Sequence, residues 1–312
     1  MRRIEYPSDI HKLGALRLDY LKCFGSAVEH YNKDGVTLSK KCKEYRWITF
    51  KKRYRLVRVF PLSVKELMVA DYPALVNVYE DFQKRHLSKK AWKILNSIFN
   101  YDAYESEIAN YFIARANELR LHSCFYCETA YINVYTVVGK HKKHFDLDHV
   151  LPKSKCPLVA LSLFNFVPSC QICNSRIKGQ KTIGGNLYER GILSPTNLLY
   201  DFESHVKFRL RPLKKPVHNF SANPNLFKVI VKADYPYNKE TAFFQLEERY
   251  EYHKIEALRL KDLKQQYPKT TISKIAKLLR RPTTSVEEDI FHKSFLTSND
   301  RCFRKFTLDM LQ

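Results

Sequence analysis

Two Cys-x-x-Cys pairs in this chain have the residue types and spacing of a metal site. They are separated by 42 residues and supply four thiols: Cys124, Cys127, Cys170 and Cys173. Each pair presents two sulfurs from one tight turn, and a structural zinc ion needs four such ligands in a tetrahedron. Paired Cys-x-x-Cys without a secretion signal favours metal over disulfide. The other cysteines lack such spacing, and we expect them to be buried small side chains: Cys23, Cys42, Cys156 and Cys302.

The segment between the two pairs carries groups that suit phosphodiester hydrolysis. That reaction needs an in-line water, a base that deprotonates it, and a cation over the developing charge. His149 has the side chain best suited to act as a base near neutral pH. Asp148 and an asparagine amide offer oxygen ligands of the kind Mg²⁺ prefers. Strict alternation along a strand would send Asp148 and His149 to opposite faces, so both serve one site only if the strand twists or breaks, as Pro152 permits.

Short elements must position these groups. Residues 145–150 are predicted to form a strand, which Pro152 ends. Residues 165–168 are predicted to form a second strand, and residues 171–179 the start of a helix. The sequence therefore predicts a strand, loop, strand, helix succession.

The composition favours a nucleic-acid partner. The 312 residues include 54 Lys and Arg against 32 Asp and Glu, a net charge of +22, and such a field attracts polyanions. A soluble protein that is merely basic is the alternative. With 8 glycines and no GxGxxG or GxxxxGK[ST] motif, we expect neither a Rossmann enzyme nor an autonomous NTPase. No run of 18 apolar residues and no secretion signal occurs, so we expect a cytoplasmic protein without a membrane span.

We expect an α+β fold that is mostly helical, in three stretches. Residues 1–118 form a basic α+β region, residues 119–185 hold the candidate chemistry, and residues 186–312 are mainly helical. Residues 40–58 mix nine basic residues with aromatic and β-branched ones, which favours one or two strands. Such strands would either grip phosphates or form a sheet edge protected by Lys and Arg.

Helical spacing of apolar residues appears on both sides of the candidate site. Residues 104–120 are predicted to form a helix that Ser106 could cap. Residues 242–266 are predicted to form another helix, which Pro268 ends.

The segment 271–291 is predicted to form two short helices joined by a tight turn. Thr284 and Glu287 fit a capping box for the second helix. The pair is compatible with a DNA-reading helix-turn-helix, and ordinary helix packing explains it as well.

The motifs together resemble the HNH endonuclease family, whose ββα-metal module carries Asp-His, a downstream Asn and a final His or Asn in the helix. The resemblance covers residues 122–181 and rests on CxxC, DHVLPKS, Asn165 and CxxCNSRIKG. It implies that His149 is the general base and that Asn165 orients the active-site loop. It also implies that Asp148 and Asn174 hold a catalytic Mg²⁺ or Mn²⁺, and that the four cysteines hold structural zinc. Asn174 in the helix position favours such a hard ion.

Charged residues beside the motif complete the predicted site. Asp146 is either a supporting acid or extra ligand, or an ordinary solvated carboxylate. We expect some of the neighbouring basic side chains to contact phosphates, with a solvated face as the alternative: Lys153, Lys155, Arg176, Lys178 and Lys181.

The whole chain is also similar, more loosely, to bacterial HNH proteins of anti-phage systems such as the Septu type. The segment PKSKCPLVALSLFNFVPSC, the basic N-terminal region and the helical tail carry this resemblance. It implies a defence effector that a partner ATPase or sensor controls.

Three functions therefore compete. The first is a metal-dependent DNA endonuclease. The second is an RNA-cleaving HNH toxin, which would have to recognise the 2′-hydroxyl away from the reacting groups. The third is a non-catalytic, zinc-stabilised nucleic-acid-binding or adaptor protein. The intact set of Asp148, His149, Asn165 and Asn174 argues against the third, because a pure binder does not need these residues.

Overall fold

The N-terminal part of this computed structural model is a set of helices. The structure describes residues 1–32, 35–213, 223–292 and 301–312. The helices that precede the first Cys-x-x-Cys pair are α1 (Ile10–Lys22), α2 (Lys43–Arg53), α3 (Val64–Val69), α4 (Tyr72–Gln83), α5 (Lys89–Ile98) and α6 (Glu105–Ala114). Most begin at a side-chain cap: Asp9, Ser63, Asp71 and Ser88 each accept a hydrogen bond from a backbone N–H of the first turn.

The middle of the chain holds two antiparallel strand pairs and a short helix. The first pair is β1 (Val134–Val137) with β2 (Lys140–Lys143), and the second is β3 (Asp146–His149) with β4 (Phe166–Ser169). A π-helix, Ile172–Lys178, follows directly. The predicted strand, loop, strand, helix succession is therefore present.

The C-terminal part adds a third antiparallel strand pair and further helices. Its elements are α7 (Leu187–Ile192), α8 (Phe202–His205), β5 (Val206–Pro212), β6 (Phe227–Ala233), α9 (Tyr237–Phe243), α10 (Leu246–Glu251), α11 (Lys254–Gln266), α12 (Lys269–Leu279), α13 (Thr283–Phe291) and α14 (Arg304–Leu311). About half of the chain is helical and the sheets are small, so the predicted α+β class is confirmed.

One continuous apolar core runs through all three stretches of the sequence. It joins side chains as distant in sequence as Ile4, Phe112, Phe166 and Phe306. A second, small cluster lies between α12 and α13, where Ile272, Ala276, Val286 and Phe291 are buried together. The three-part division at residues 118 and 185 stays a prediction.

The strands predicted within residues 40–58 are wrong, because this segment forms helix α2. Glu44, Trp47 and Lys51 are buried at intervals of three and four residues, which places them on one face of a helix. The Trp47 indole donates to Leu62 O at 2.9 Å, and the Lys51 ammonium donates to the same carbonyl at 3.0 Å. Lys43 is buried too and donates to a backbone carbonyl of α5. Neither the phosphate-gripping ribbon nor the protected sheet edge exists here.

Two other helices differ from their predicted limits. Helix α6 ends at Ala114, and its N-cap is Tyr104, so Ser106 does not cap it. The helix predicted over residues 242–266 is broken where Gln245 adopts a left-handed conformation with φ of 52°, and broken again at His253. Its predicted end before Pro268 is confirmed.

The helix pair in the segment 271–291 is confirmed, but its capping box is wrong. The N-cap of α13 is Pro282, which offers no side-chain acceptor, and Thr284 lies inside the helix. The turn from α12 passes through Arg280 in a left-handed conformation with φ of 51°.

The buried face of α2 gives a direct test of the helix. Trp47→Ala should lower the free energy of unfolding by about 3–5 kcal/mol, because it empties a large, fully buried site. Lys52→Ala, on the exposed face of the same helix, should change it by less than about 0.5 kcal/mol. Urea denaturation followed by circular dichroism measures both. Equal effects of the two substitutions would contradict the orientation of α2.

Candidate metal centre and active-site pocket

The four cysteines of the two Cys-x-x-Cys pairs lie together. Their sulfur atoms are all within 4.8 Å of one another, and Cys127 Sγ lies 4.0 Å from Cys170 Sγ. Four ligands about 2.3 Å from a zinc ion would have sulfur–sulfur separations of about 3.8 Å, so the cluster needs little adjustment to hold one. The predicted four-cysteine cluster is therefore confirmed, and it could bind a metal such as zinc.

The surroundings of these sulfurs suit the negative charge that four thiolates would carry. Cys170 N donates to Cys124 Sγ at 3.3 Å, and the Thr129 hydroxyl donates to Cys127 Sγ at 3.1 Å. The Arg249 guanidinium, from α10, donates to Cys173 Sγ at 3.3 Å. Donors that orient and stabilise ligating sulfurs are typical of built metal sites. Arg249 has no sequence signal that links it to the cysteines.

The cysteines outside the cluster are mostly buried, as expected. Cys42, Cys156 and Cys302 are buried, and Cys23 is half-buried. None of them joins the four-sulfur group.

The strand pair β3–β4 and the π-helix that follows it form one structural unit beside the cysteines. This unit is called the frame of the site. The register pairs Asp146 with Ser169 and His149 with Phe166. In the π-helix, Gly179 N donates to Asn174 O at 2.7 Å, five residues back. Such widened turns occur frequently at functional sites.

Asn165 holds the loop between β3 and β4 in place. Its side chain is fully buried. Its Oδ1 accepts from Leu151 N at 2.8 Å, and its Nδ2 donates to Leu151 O at 3.0 Å and to Val159 O at 2.9 Å. These bonds fix the residues just before Ala160, whose carbonyl contacts His149. Whether Asn165 orients an active-site loop stays a prediction.

His149 is fixed in orientation and in tautomer. Its Nε2 lies 3.0 Å from Ala160 O, and because a carbonyl only accepts, Nε2 carries the proton and Nδ1 keeps its lone pair. The imidazole packs edge-on against Tyr101 and Phe166, with ring centroids 4.7 and 4.8 Å away. Burial lowers the pKa of His149 to about 3. At neutral pH the ring is an oriented, uncharged acceptor.

Asp148 lies deeper than a freely available metal ligand would. It is 3% exposed. Its Oδ2 accepts from the Tyr126 hydroxyl at 2.6 Å, and its Oδ1 accepts from Lys178 Nζ at 3.0 Å. Burial raises the pKa of Asp148, and the adjacent Lys178 ammonium opposes that rise. Both carboxylate oxygens are thus already engaged.

Lys178 does not occupy the surface position expected of a phosphate contact. It is 1% exposed, and its ammonium also donates to His149 O at 2.6 Å. The expectation for Lys178 therefore needs correction: its charge is compensated by Asp148 inside the frame. The sequence could not show this, because the two residues are thirty positions apart.

An open pocket of about 450 Å³ exposes the remaining groups. Asp146, Asp148, His149, Lys153 and Asn174 all line it. Asn174 Nδ2 donates to Asp146 Oδ2 at 3.1 Å, so the amide oxygen of Asn174 takes no part in that bond. The structure therefore brings the predicted base, the predicted asparagine and both acids to one pocket.

The other predicted cations differ in their contacts and exposure. Lys153 lines it, pairs with Asp102 Oδ1 at 2.7 Å and lies over the Tyr101 ring at 4.2 Å. Lys155, Arg176 and Lys181 are exposed. Tyr101 contacts His149, and Tyr126 contacts Asp148. The sequence did not identify either tyrosine, because neither belongs to a spaced motif of titratable groups.

Across the described residues, the four cysteines are the group of three or more His, Cys, Asp or Glu side chains whose ligand atoms converge. Asp146, Asp148 and His149 do not converge in that way. None of the helices in the described ranges combines the length and apolar character needed to cross a membrane. Comparisons of the chain with protein-family models, with curated proteins and with solved structures give no match in any of the three.

The cysteine cluster generates a prediction about metal content. The wild-type protein should carry about one zinc ion per chain, and Cys170→Ser should lose both the zinc and the folded state, since metal affinity contributes directly to folding. Cys23→Ser, outside the cluster, should keep both. Elemental analysis after gel filtration, with circular dichroism, measures the outcome. A zinc-free protein that is fully folded would contradict this assignment.

The partial burial of His149 generates a prediction about protonation. At pH 5 a histidine in an unfolded chain is mostly protonated, whereas His149 should remain neutral with its proton on Nε2. Because its folded-state pKa of about 3 lies below the unfolded value, the unfolded chain binds the extra proton. This contribution to stability is complete above about pH 6.5 and is lost as the pH falls. NMR of the ¹⁵N-labelled imidazole reports the charge, and a protonated ring at pH 5 would contradict the prediction.

Proposed function

We propose that this protein is a metal-dependent endonuclease of the HNH type that hydrolyses DNA phosphodiester bonds. The observation that carries the proposal is an oriented, neutral His149 that shares one pocket with Asp146 and Asn174. The frame that holds them is attached to the four-cysteine cluster, because Tyr126 lies within the first Cys-x-x-Cys pair and donates to Asp148. A purely structural zinc module does not need this pocket.

His149 is the proposed general base. Its Nε2 is committed to Ala160 O, so Nδ1 is the atom available to take a proton from water. A pKa of about 3 describes the ring without substrate. A phosphodiester anion next to the ring favours its charged form and raises the pKa toward the range in which proton transfer is efficient.

Residues with side-chain oxygens that could bind a hard divalent cation line the pocket. The family resemblance implies Asp148 and Asn174 as ligands for Mg²⁺ or Mn²⁺. Both oxygens of Asp148 already accept hydrogen bonds, whereas Asp146 and Asn174 line the pocket and are joined by one bond from Asn174 Nδ2 to Asp146 Oδ2. We therefore assign Asn174 and Asp146 as the first ligands, with Asp148 joining if the Lys178 contact opens. Such an ion would offset negative charge on the phosphate.

The surrounding positive charge supports a polyanionic substrate. Lys155, Arg176 and Lys181 are exposed near the pocket, and Lys153 lies at its edge. Salt dependence is the expected signature of phosphate contacts. Control by a partner ATPase or sensor in anti-phage defence, within the cytoplasm, belongs to the same proposal and rests on the sequence resemblance alone.

Plasmid cleavage tests the proposed base. Zinc-loaded wild-type protein with Mg²⁺ or Mn²⁺ should nick supercoiled DNA, and His149→Ala should lower the rate by at least about 100-fold, the scale of a lost general base. His86→Ala, an exposed histidine on another part of the chain, should retain wild-type activity. Gel analysis of the time course measures both rates. Equal rates for the two variants, or no cleavage with any divalent ion, would refute the assignment.

The same assay tests which acidic residue binds the metal and which nucleic acid is cleaved. If Asp146 is a ligand, Asp146→Asn should raise the Mg²⁺ concentration needed for half-maximal cleavage, while Asp148→Asn should also destabilise the fold because it leaves Lys178 unpaired. Adding RNA to the digest identifies the preferred substrate. Preferential RNA cleavage would replace the DNA assignment with the RNA-cleaving alternative.

A further inference from the structure

The β1–β2 hairpin carries a surface that the proposed active site does not use. Its register places Tyr135 opposite Lys142 and Val137 opposite Lys140. Directly opposed residues of an antiparallel pair point to the same face, so these four side chains share one face. All four are exposed: Tyr135 is 44% exposed and Val137 43%.

This face carries two lysines and no acidic residue that would neutralise them. The segment from Thr129 to Phe145 contains no Asp or Glu. Within the described ranges, neither Lys140 nor Lys142 forms an ion pair, unlike Lys153, which pairs with Asp102. Uncompensated cations next to an exposed aromatic ring match the phosphates and bases of nucleic acid.

Only the base of the hairpin is tied to the protein, because Thr136 and His141, which lie on the opposite face, are exposed as well. Val134 packs against the core, and Lys143 lines the active-site pocket. His144 N donates to Asn133 O at 2.7 Å, and β3 begins two residues later. The hairpin therefore connects an exposed tip to a base that lies at the pocket that holds His149.

The tip presents an exposed apolar side chain. Val138 and Gly139 form a two-residue turn in which both have positive φ, 47° and 73°. Asn or Gly is preferred at the first of these positions, and a β-branched residue is disfavoured there. Val138 is nevertheless 96% exposed. Local turn formation does not explain this valine, whereas a contact made by the tip would.

We propose that the β1–β2 hairpin is a DNA-binding ribbon that enters a groove of duplex DNA and guides the strand to the pocket. The inference rests on the proposed nuclease function and names the surface that positions its substrate. Strands of four residues span about 13 Å, and the major groove of B-DNA, about 12 Å wide and 8.5 Å deep, admits a two-stranded ribbon. The major groove of duplex RNA is too narrow for this. Lys140 and Lys142 would contact phosphates, and Val138 would contact the groove.

Binding measurements without cleavage test the ribbon directly. The His149→Ala protein is titrated onto a fluorescent 30-base-pair duplex at several salt concentrations, with no divalent ion added. Adding Lys140→Ala and Lys142→Ala should weaken binding roughly 10- to 100-fold near 0.1 M salt and make the log–log salt slope shallower by about 2. Adding Lys89→Ala and Lys90→Ala, which removes two exposed lysines from the start of α5, should change affinity by less than about threefold.

The tip is tested by a matched pair of substitutions. Asn and Asp both tolerate positive φ and have nearly the same shape, so Val138→Asn and Val138→Asp differ mainly in charge. Val138→Asp should bind duplex DNA at least fivefold more weakly than Val138→Asn. Unchanged zinc content and circular dichroism verify that all variants are folded.

Three results would overturn the ribbon. These are equal losses for the hairpin and α5 variants, equal binding by the two tip variants, and a hairpin effect that is as large on duplex RNA as on duplex DNA. The failure of this inference is distinct from failure of the proposed function. Plasmid nicking that survives the hairpin substitutions without loss of affinity removes the ribbon alone, whereas hairpin-dependent binding without any nicking removes the nuclease alone.

Discussion

The candidate site depends on the hydrogen bonds that the buried carboxylate of Asp148 accepts. This carboxylate joins three separate pieces of chain: Tyr126 from the first Cys-x-x-Cys pair, Lys178 from the π-helix, and its own strand β3. Removing one partner of a buried ion pair costs about 3–5 kcal/mol, because the other charge remains without compensation. The arrangement therefore locks the pieces together only while all three groups are present. A frame with this property holds nearby side chains in one orientation.

His149 gains its orientation from that frame through the backbone. Lys178 bonds the carbonyl of His149, while Asn165 fixes the loop that carries Ala160. Hydrogen bonds thus restrain both the backbone of His149 and the Nε2 atom of its ring, and Tyr101 packs against the ring. Asp148 and His149 follow one another on a strand, yet both line the pocket. Asp148 is held there by Tyr126 and Lys178, while Asp146 accepts a hydrogen bond from Asn174.

The sequence predicts those parts of the site that depend on short-range spacing. A Cys-x-x-Cys turn and a strand ended by a proline are local features, so the sulfur cluster and the strand pair follow from the sequence. Helix α2 does not, because aromatic and β-branched residues are typical of strands, and the helical spacing of Trp47 and Lys51 becomes decisive only once Leu62 packs beside them. The contact of Arg249 with Cys173 spans 76 positions and has no local signal at all.

Net charge is similarly ambiguous until individual cations are placed. The chain has a charge of +22, yet Lys43, Lys51 and Lys178 are buried and bond carbonyls or a carboxylate. Their ammonium groups hold the fold together and are not available to a polyanion. A positive sequence segment is therefore weak evidence for an interface, as α2 shows. A stronger criterion is an exposed cation without an acidic partner, and Lys140 and Lys142 meet it within the part of the chain that the structure describes.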